Sequence, residues 1–497
     1  MTYKESNLQP GPLGPASDGQ KRGTITSFPE LRSIYNRGSV LAGVGMLADA
    51  YDLFVINIVL ALMSTAYPQS AGDKSAVASA ALWGAVAGQL SFGALADLFG
   101  RRVMFIVTGC LITFSAFASA AVQPTESGLG IYGQLALFRF FLGLGVGGEY
   151  PLSASITSET VNPQIKAKAL CGTFSNQGVG NLLSTVVVLI CLSAGASYEF
   201  TWRFALGFGA LPVAIALYFR YKMHETEEFD AAKKAENTTS DASKAGHARQ
   251  IGSAMALYWR WVLGTAGCWF LQDVYFYGNS LFSSTVTELM GLGSTVEDRA
   301  LNNLFIALIA LPGYYLSLIF IDFVGRRRLQ WASFLVVSAL FAILGMAFTH
   351  LQKIPALFIV LYGGTYLFNN FGPNATTYVI PAEIYPPQVR GTCHGISAAA
   401  GKVGGAVAGV VFPLMLALEN GTQIVLLVCG GVGLLGMVWT FLFIPYYTTE
   451  DVVAWREKQN QAANAVELAE AMGSRVKDLN SHTQELHCHH SSAVHAV

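Results

Sequence analysis

The sequence predicts an all-α membrane protein of twelve transmembrane helices, arranged as two pseudo-symmetric six-helix bundles. Three observations lead to this fold class: a low charge content, a series of long apolar runs, and motifs that recur in the second half of the chain. Of the 497 residues, 53% are hydrophobic and only 12% are charged, about half the charged fraction of a typical soluble domain. Such a chain cannot keep a large surface hydrated, which excludes an ordinary soluble enzyme.

The charged residues are concentrated in three polar stretches. Residues 1–36, 220–260 and 446–497 hold 31 of the 61 charges. Taking these stretches as solvated segments divides the chain into five parts. They are a cytoplasmic N-terminal tail (1–38), an N-terminal bundle (39–219), a cytoplasmic linker (220–260), a C-terminal bundle (261–444) and a cytoplasmic C-terminal tail (445–497).

Each predicted span is an apolar run of roughly 20 residues, the length that crosses a bilayer as a helix. Six runs precede the linker and six follow it. They cover 39–63, 76–96, 103–122, 132–154, 168–192, 202–219, 261–290, 300–321, 329–348, 355–381, 391–418 and 422–444. With both termini inside, the cytoplasmic segments carry 24 of the 30 basic residues and the outer loops carry three. This asymmetry predicts cytoplasmic termini.

Several motifs recur at a nearly constant spacing along the chain. The loop that starts at Asp97 (DLFGRR) returns at Asp322 (DFVGRR), and Asp49 returns as Asp273 at almost the same separation. A duplicated six-helix unit of this kind places a substrate site near the midplane, between the halves. We assign the repeated loops to gating, through Asp97, Gly100, Arg101, Arg102, Asp322, Gly325 and Arg326.

Six ionisable residues fall deep inside the predicted spans. They are Asp49, Asp52, Arg139, Glu149, Asp273 and Lys402. Charges in a membrane are costly and usually face a cavity and one another. A single pair would suit a structural role in holding helices together, whereas six groups of both signs favour a transport pathway. Carboxylates in such a cavity can take up and release protons as their surroundings change, and Arg139 is the expected counter-charge of Asp49 and Asp52.

Uncharged polar and aromatic residues accompany these charges. Trp269, Asp273 and Tyr277 follow one another at four-residue spacing and so form one stripe on the seventh span, while Tyr150, Gln177 and Asn374 lie in other spans. An aromatic stripe alone is more often packing, but an Asp in its middle favours a pocket wall. No nucleophile–base pair or metal-ligand set is evident, so we expect no enzyme, metal or cofactor. The net charge of −1 gives no field for nucleic acid.

The repeated loops resemble the signature of the major facilitator superfamily. Longer stretches resemble its phosphate:proton symporter family, which includes eukaryotic high-affinity inorganic phosphate transporters. These stretches are 48–54 (ADAYDLF), 147–154 (GGEYPLSA), 370–377 (NFGPNATT), 381–383 (PAE), 390–395 (RGTCHG) and 401–402 (GK). The resemblance covers about residues 35–445 and departs from the family pattern at Glu149, where the family has Asp.

This resemblance implies proton-coupled uptake of inorganic phosphate across the plasma membrane by rocker-switch alternating access. Phosphate would be bound between the bundles by Tyr150, Gln177, Trp269, Asp273, Tyr277, Asn374 and Lys402. Proton coupling would use Asp49, Asp52, Arg139, Glu149 and Asp273. Two alternatives stay open: a carrier of organic phosphates such as glycerophosphodiesters, and a phosphate-sensing receptor. A hexose or polyol carrier suits the buried Asp and Lys less well. The oligomeric state is left open.

Overall fold

The computed structural model describes residues 34, 36–125, 128–237, 244–289, 295–455 and 457–458. Within these ranges every regular element is a helix. Nearly all of the predicted N-terminal tail and most of the C-terminal tail lie outside the described residues, as does the centre of the linker.

The N-terminal half contributes six spans in seven helices. They are α1 (Arg37–Met63), α2 (Ala71–Phe99), α3 (Arg101–Ala120), α4 (Ile131–Thr160), α5 (Lys166–Ser193), α6 (Tyr198–Phe208) and α7 (Ala210–Tyr221). The last two form one span interrupted at Gly209, and a short linker helix, α8 (Glu227–Asn237), follows them.

The C-terminal half repeats this arrangement. Its helices are α9 (Lys244–Leu289), α10 (Val296–Val324), α11 (Arg326–Met346), the short α12 (Phe348–Leu351), α13 (Pro355–Phe371), α14 (Pro373–Ile384), α15 (Pro387–Leu416) and α16 (Gly421–Phe443). Ten spans of the described residues are long and apolar enough to cross a membrane. The 46-residue α9 and the pair α13–α14, interrupted at Gly372, bring the number to twelve.

The observed helices place the linker boundaries differently from the sequence-based prediction. The predicted linker starts at 220, but α7 continues to Tyr221 and buries Arg220 completely. The predicted C-terminal bundle starts at 261, but α9 begins at Lys244 as one continuous helix. Composition marks where charge begins, whereas a helix continues wherever its backbone bonds and its packing allow.

The ends of α2 and α10 show the repeat in local structure. Ser70 and Asp73 form a capping box at the start of α2, and Thr295 and Asp298 form the same motif at the start of α10. Reciprocal side-chain to backbone bonds of this kind satisfy amides that the first turn leaves unpaired. Both helices end at a glycine with positive φ, 102° at Gly100 and 87° at Gly325, a conformation that glycine adopts without strain.

The two halves meet through two equivalent helix pairs, α2 against α15 and α5 against α10. The first approach is so close that a Cβ atom on Gly93 would lie 2.6 Å from the carbonyl oxygen of Gly391. Large apolar side chains such as Phe114, Met346 and Leu442 are more than 60% exposed on the outside of the bundles. An apolar outer surface of this kind suits lipid rather than water.

Candidate functional site

A buried ion pair lies between α9 and α15. Lys402 Nζ donates to Asp273 Oδ2 at 3.0 Å, and both side chains are almost completely buried. The Lys402 ammonium also lies 4.8 Å from the ring centre of Tyr150 and 4.5 Å from that of Tyr277. Gly401 permits this packing, because a Cβ there would lie 2.9 Å from Asp273 Oδ2. One cation is therefore held among an acid and two phenol rings at the interface of the halves.

A network of uncharged polar groups lies beside this pair. Gln177 Nε2 donates to the Tyr150 hydroxyl at 2.9 Å, and Gln177 Oε1 accepts from the Tyr314 hydroxyl at 3.2 Å. Asn374 Nδ2 lies 3.3 Å from the Tyr314 hydroxyl and 2.9 Å from Asn370 Oδ1. Trp269 is near, with its ring centre 6.3 Å from that of Tyr150. The structure thus brings the seven predicted substrate-binding residues to one region.

This region is occluded in the structure. The seven predicted substrate-binding side chains are each 4% exposed or less. Towards the end of the bundles opposite the repeated loops, the Phe54 ring stacks on Tyr277 and meets Phe276 edge-on. Beyond Phe54, a small cleft of about 30 Å³ reaches to Asn57, whose amide donates to the carbonyl oxygen of Ser280 at 3.0 Å. Aromatic side chains therefore separate the polar region from this end.

The acids of α1 lie in the N-terminal half without hydrogen bonds to their side chains. Both carboxylate oxygens of Asp49 and of Asp52 are buried and have no hydrogen-bond partner among the described residues. The expected pairing with Arg139 takes another form, because Arg139 Nη2 donates to the backbone carbonyl of Asp52 at 2.5 Å. Gly209, at the interruption between α6 and α7, lies directly against the Asp52 carboxylate.

Glu149 pairs with an arginine that the composition of the chain assigns to the linker. Arg220 Nη1 lies 2.6 Å from Glu149 Oε1, and Arg220 Nη2 lies 2.8 Å from Oε2. The Thr108 hydroxyl donates to Oε1 at 2.6 Å, so the carboxylate accepts three hydrogen bonds. Glu149 on α4 thus faces Arg220 on α7.

The repeated loops form an ion-pair network at one end of the bundles, which we call the basic end: the end where α2 and α10 finish. Arg101 lies 3.1 Å from Asp97 and 3.0 Å from Glu159, and Arg390 from the other half also lies 3.0 Å from Glu159. Asp97 accepts from the backbone amide of Thr392 at 2.7 Å. This network joins the two halves through charged side chains and backbone groups.

The C-terminal half carries the equivalent network. Arg326 lies 2.8 Å from Asp322 and 2.8 Å from Glu383. Lys168 reaches from the other half to within 3.6 Å of Asp322. Lys168 and Thr392 occupy equivalent positions of the sequence repeat, and each contacts the loop aspartate of the opposite half. The basic end is thus closed by two related connections between the halves.

The second arginines of the repeated loops have a different role from the first. Arg102 donates to the carbonyl oxygen of Tyr221, and Arg327 donates to that of Phe441. Each of these contacts stays within one half. Arg102, predicted as a gating residue, therefore connects helices of its own bundle and does not contact the other half through this bond.

Comparison with known proteins decides the family. The model of the sugar (and other) transporter family matches residues 39–452. Inorganic phosphate transporter 1-2 of Oryza sativa subsp. japonica is 34% identical over 479 residues, covering 81% of this chain and 90% of its own. A probable inorganic phosphate transporter 1-6 of Arabidopsis thaliana is 34% identical over 465 residues, again covering 81% of this chain and 90% of its own.

The chain belongs to the phosphate transporter family of the major facilitator superfamily. Solved structures share this fold. The proton:xylose symporter XylE has a TM-score of 0.71 at 20% identity, covering 85% of this chain and 99% of its own. The human organic anion transporter MFSD10 has a TM-score of 0.60 at 18% identity, covering 83% of this chain and all of its own. The predicted twelve-helix fold of a multi-pass membrane protein is confirmed, and this family consists of transporters rather than enzymes.

Three residues near the site of this family member were not among the predicted ones. The sequence assigns Arg220 to the charged linker, so it is not counted among the charged residues of the spans. Tyr314 looked like one of many aromatic residues in spans, although its repeat equivalent is the buried Gln89. His394 packs edge-on against Trp269 and Tyr378, with ring centres 5.5 and 5.3 Å away. The repeat spacing could have revealed Tyr314, but only the fold shows what Arg220 and His394 contact.

Proposed function

We propose that the protein takes up inorganic phosphate by proton-coupled alternating access. The observation that carries this proposal is the buried Lys402–Asp273 pair, surrounded by hydroxyl and amide donors at the interface of the halves. Curated relatives that match over most of their length are named inorganic phosphate transporters. These names favour inorganic phosphate over the organic phosphates and the receptor role considered from sequence.

Phosphate suits the chemistry of these side chains. Lys402 supplies a cation for the anion, and the side chains of Tyr150, Gln177, Trp269, Tyr277 and Asn374 supply hydroxyl, amide and indole donors for its oxygens. Asp273, as a carboxylate, accepts a hydrogen bond from a P–OH group. Sulfate, which is fully deprotonated at neutral pH, offers no such donor, so Asp273 gives the site a means of selecting phosphate.

Proton coupling can offset the electrical work of moving an anion into the cell. An anion entering a cell with a negative interior works against about 2.3 kcal/mol per charge per 100 mV. One proton only neutralises a monoanion, so uptake driven by voltage needs more than one proton, or a pH gradient. We assign proton coupling to a group of membrane acids, Asp49, Asp52, Glu149 and Asp273, in which at least one carries the proton and the others set its electrostatic surroundings; Arg139 lies beside Asp52.

The proposed orientation places the basic end in the cytoplasm. Both termini then lie in the cytoplasm, in agreement with the orientation that the distribution of Lys and Arg predicts. In this orientation the ion-pair networks around Asp97 and Asp322 form the inner gate, and the plasma membrane is the proposed location. Opening the networks while the aromatic end stays closed would release phosphate inside.

Uptake of labelled phosphate into proteoliposomes tests the proposal. We expect an inward proton gradient to accelerate uptake and unlabelled phosphate, but not sulfate, to compete. Asp273→Asn should abolish uptake, whereas the matched Asp73→Asn, at the exposed start of α2, should not. An uptake rate that does not change with the proton gradient would refute the coupling. Competition by glycerophosphodiesters at the same concentrations at which unlabelled phosphate competes would favour an organic phosphate carrier. Wild-type rates in Asp273→Asn would remove that residue from the site.

A further inference from the structure

Arg220 has no part in the phosphate site, yet it is one of the largest fully buried side chains of the described structure. Besides its two contacts with Glu149, Arg220 Nη1 donates to the carbonyl oxygen of Phe105 at 2.8 Å. The guanidinium carbon lies 3.6 Å from the centre of the Phe105 ring. Arg220 therefore joins α7 to α3 and α4 through a two-pronged ion pair, a backbone hydrogen bond and an aromatic contact.

The Glu149 carboxylate in this arrangement acts only as an acceptor. Its two oxygens receive three donors, two from Arg220 and one from Thr108. A proton placed on Glu149 would remove the negative charge that these donors stabilise and would leave Arg220 as an uncompensated buried cation. Protonating Glu149 is therefore opposed as long as Arg220 stays in place.

Asp49 presents the opposite situation nearby. Its carboxylate oxygens are buried without a hydrogen-bond partner among the described residues. Gly45, one turn earlier on α1, has no side chain to separate α1 from the pair: a Cβ there would lie 3.0 Å from Arg220 Nη2. The titratable groups that act electrostatically on Asp49 or its immediate neighbours come from α1 itself and from α4, α7, α9, α14 and α15. They are Asp52, Glu149, Tyr150, Arg220, Tyr277, Tyr378 and Lys402.

Counting charges shows what Arg220 changes. The acids in this region are Asp49, Asp52, Glu149 and Asp273, and the bases are Arg139, Arg220 and Lys402. With Arg220 included, the acids exceed the bases by one. A single proton neutralises the region. Asp49 and Asp52 both lack a hydrogen-bond donor among the described residues, but Arg139 lies beside Asp52 and contacts its backbone carbonyl, which leaves Asp49 as the acid with neither a donor nor an arginine of its own.

We propose that Arg220 is a positioning residue for proton coupling: it holds Glu149 as a carboxylate and thereby leaves Asp49 as the acid that takes up the coupling proton. The proton forms an O–H bond on the Asp49 carboxyl group when that group faces the outside and leaves it for water on the inside. The inference rests on the proposed proton-coupled phosphate uptake. Failure of the proposed function can be distinguished from failure of this inference. If phosphate uptake by the wild-type protein did not depend on protons, the proposed function would be refuted before any variant is measured.

The test measures initial phosphate uptake by proteoliposomes against outside pH, in a range where protons limit the rate. The slope of log rate against pH then counts the protons that load the carrier. For the wild type we expect a slope of about −1. Arg220→Gln leaves Glu149 without its counter-ion, so a second acid must be protonated. We expect a slope of about −2 and uptake about tenfold lower near neutral pH.

The double variant Glu149→Gln, Arg220→Gln separates positioning from proton carrying. It removes both charges of the pair while keeping Asp49, so we expect the slope to return to about −1 and uptake to recover to within about threefold of wild type. Arg203→Gln is the matched control. It breaks an arginine–glutamate pair on the same span, 2.7 Å from Glu199, and should leave the slope unchanged.

Three results would overturn the inference. A wild-type slope in Arg220→Gln would show that the arginine does not affect proton loading. A double variant that transports without any pH dependence would make Glu149 itself the proton carrier. If neither variant reaches the membrane, Asp49→Asn decides: loss of the slope supports the assignment, and an unchanged slope refutes it.

Discussion

Replacing Lys402 by methionine removes the cation of the buried pair between α15 and α9. Its partner Asp273 lies 3.0 Å away, where two unit charges attract by about 5 to 6 kcal/mol at an effective dielectric constant of about 20. In the intact pair, the cost of desolvating both charges offsets much of this attraction. In Lys402→Met the buried Asp273 carboxylate keeps its desolvation cost but has lost the attraction that balanced it. We therefore expect Lys402→Met to destabilise the protein by about 3–5 kcal/mol.

The double variant Asp273→Asn, Lys402→Met tests this reasoning, because it leaves no buried charge of the pair uncompensated. In thermal unfolding of the detergent-purified protein, the midpoint of Lys402→Met should fall well below wild type and that of the double variant should recover most of the loss. Lys353→Met, at an exposed site between α12 and α13, is the matched control. Neither Lys402 variant should bind phosphate in calorimetry. Additive losses of stability in the double variant would refute a direct interaction between the two charges.

Two further predictions concern the N-terminal half and the basic end. Gly209→Ala places a methyl group against the Asp52 carboxylate, so we expect a loss of about 1–3 kcal/mol in unfolding free energy. Gly207→Ala, whose new carbon meets only a methyl group at 3.5 Å, should cost less than about 1 kcal/mol in the same assay. Asp97→Asn removes the charged acceptor that α15 amides contact. Alkylation of the buried Cys393, followed by peptide mass spectrometry, should then speed up about tenfold. An unchanged alkylation rate would show that Asp97 does not keep the basic end closed.

The spans could be predicted from the sequence because the bilayer sets their length and composition. The predicted runs 103–122 and 422–444 differ little from α3 and α16 at either end. The repeat needed only constant spacing between motifs. The seven residues proposed for phosphate binding also follow from motifs, and the structure brings them together. Whether they bind phosphate stays a prediction.

The partners of the charged side chains could not be predicted, because they depend on how each helix is rotated and where it ends. The sequence predicts Arg139 as the counter-charge of Asp49 and Asp52, but Arg139 Nη2 donates to the backbone carbonyl of Asp52. Composition placed Arg220 in the linker because charged residues follow it, yet its side chain lies inside the bundle against Glu149. A one-dimensional pattern contains no information about which of two arginines faces a given carboxylate.

The positions of Tyr150 and Glu159 on α4, and of Asn374 and Glu383 on α14, have a consequence for energy conservation. In each case a single helix with an internal proline, Pro151 or Pro381, and a rise of about 13 Å connects a residue of the polar region to a glutamate of the basic-end network. We therefore expect an inward opening that pulls either glutamate away from its arginine also to displace the side chain proposed to contact phosphate. A carrier that holds a proton but no phosphate has no bound anion to compensate that displacement. We therefore expect α4 in one half and α14 in the other to disfavour transport cycles that move protons without phosphate.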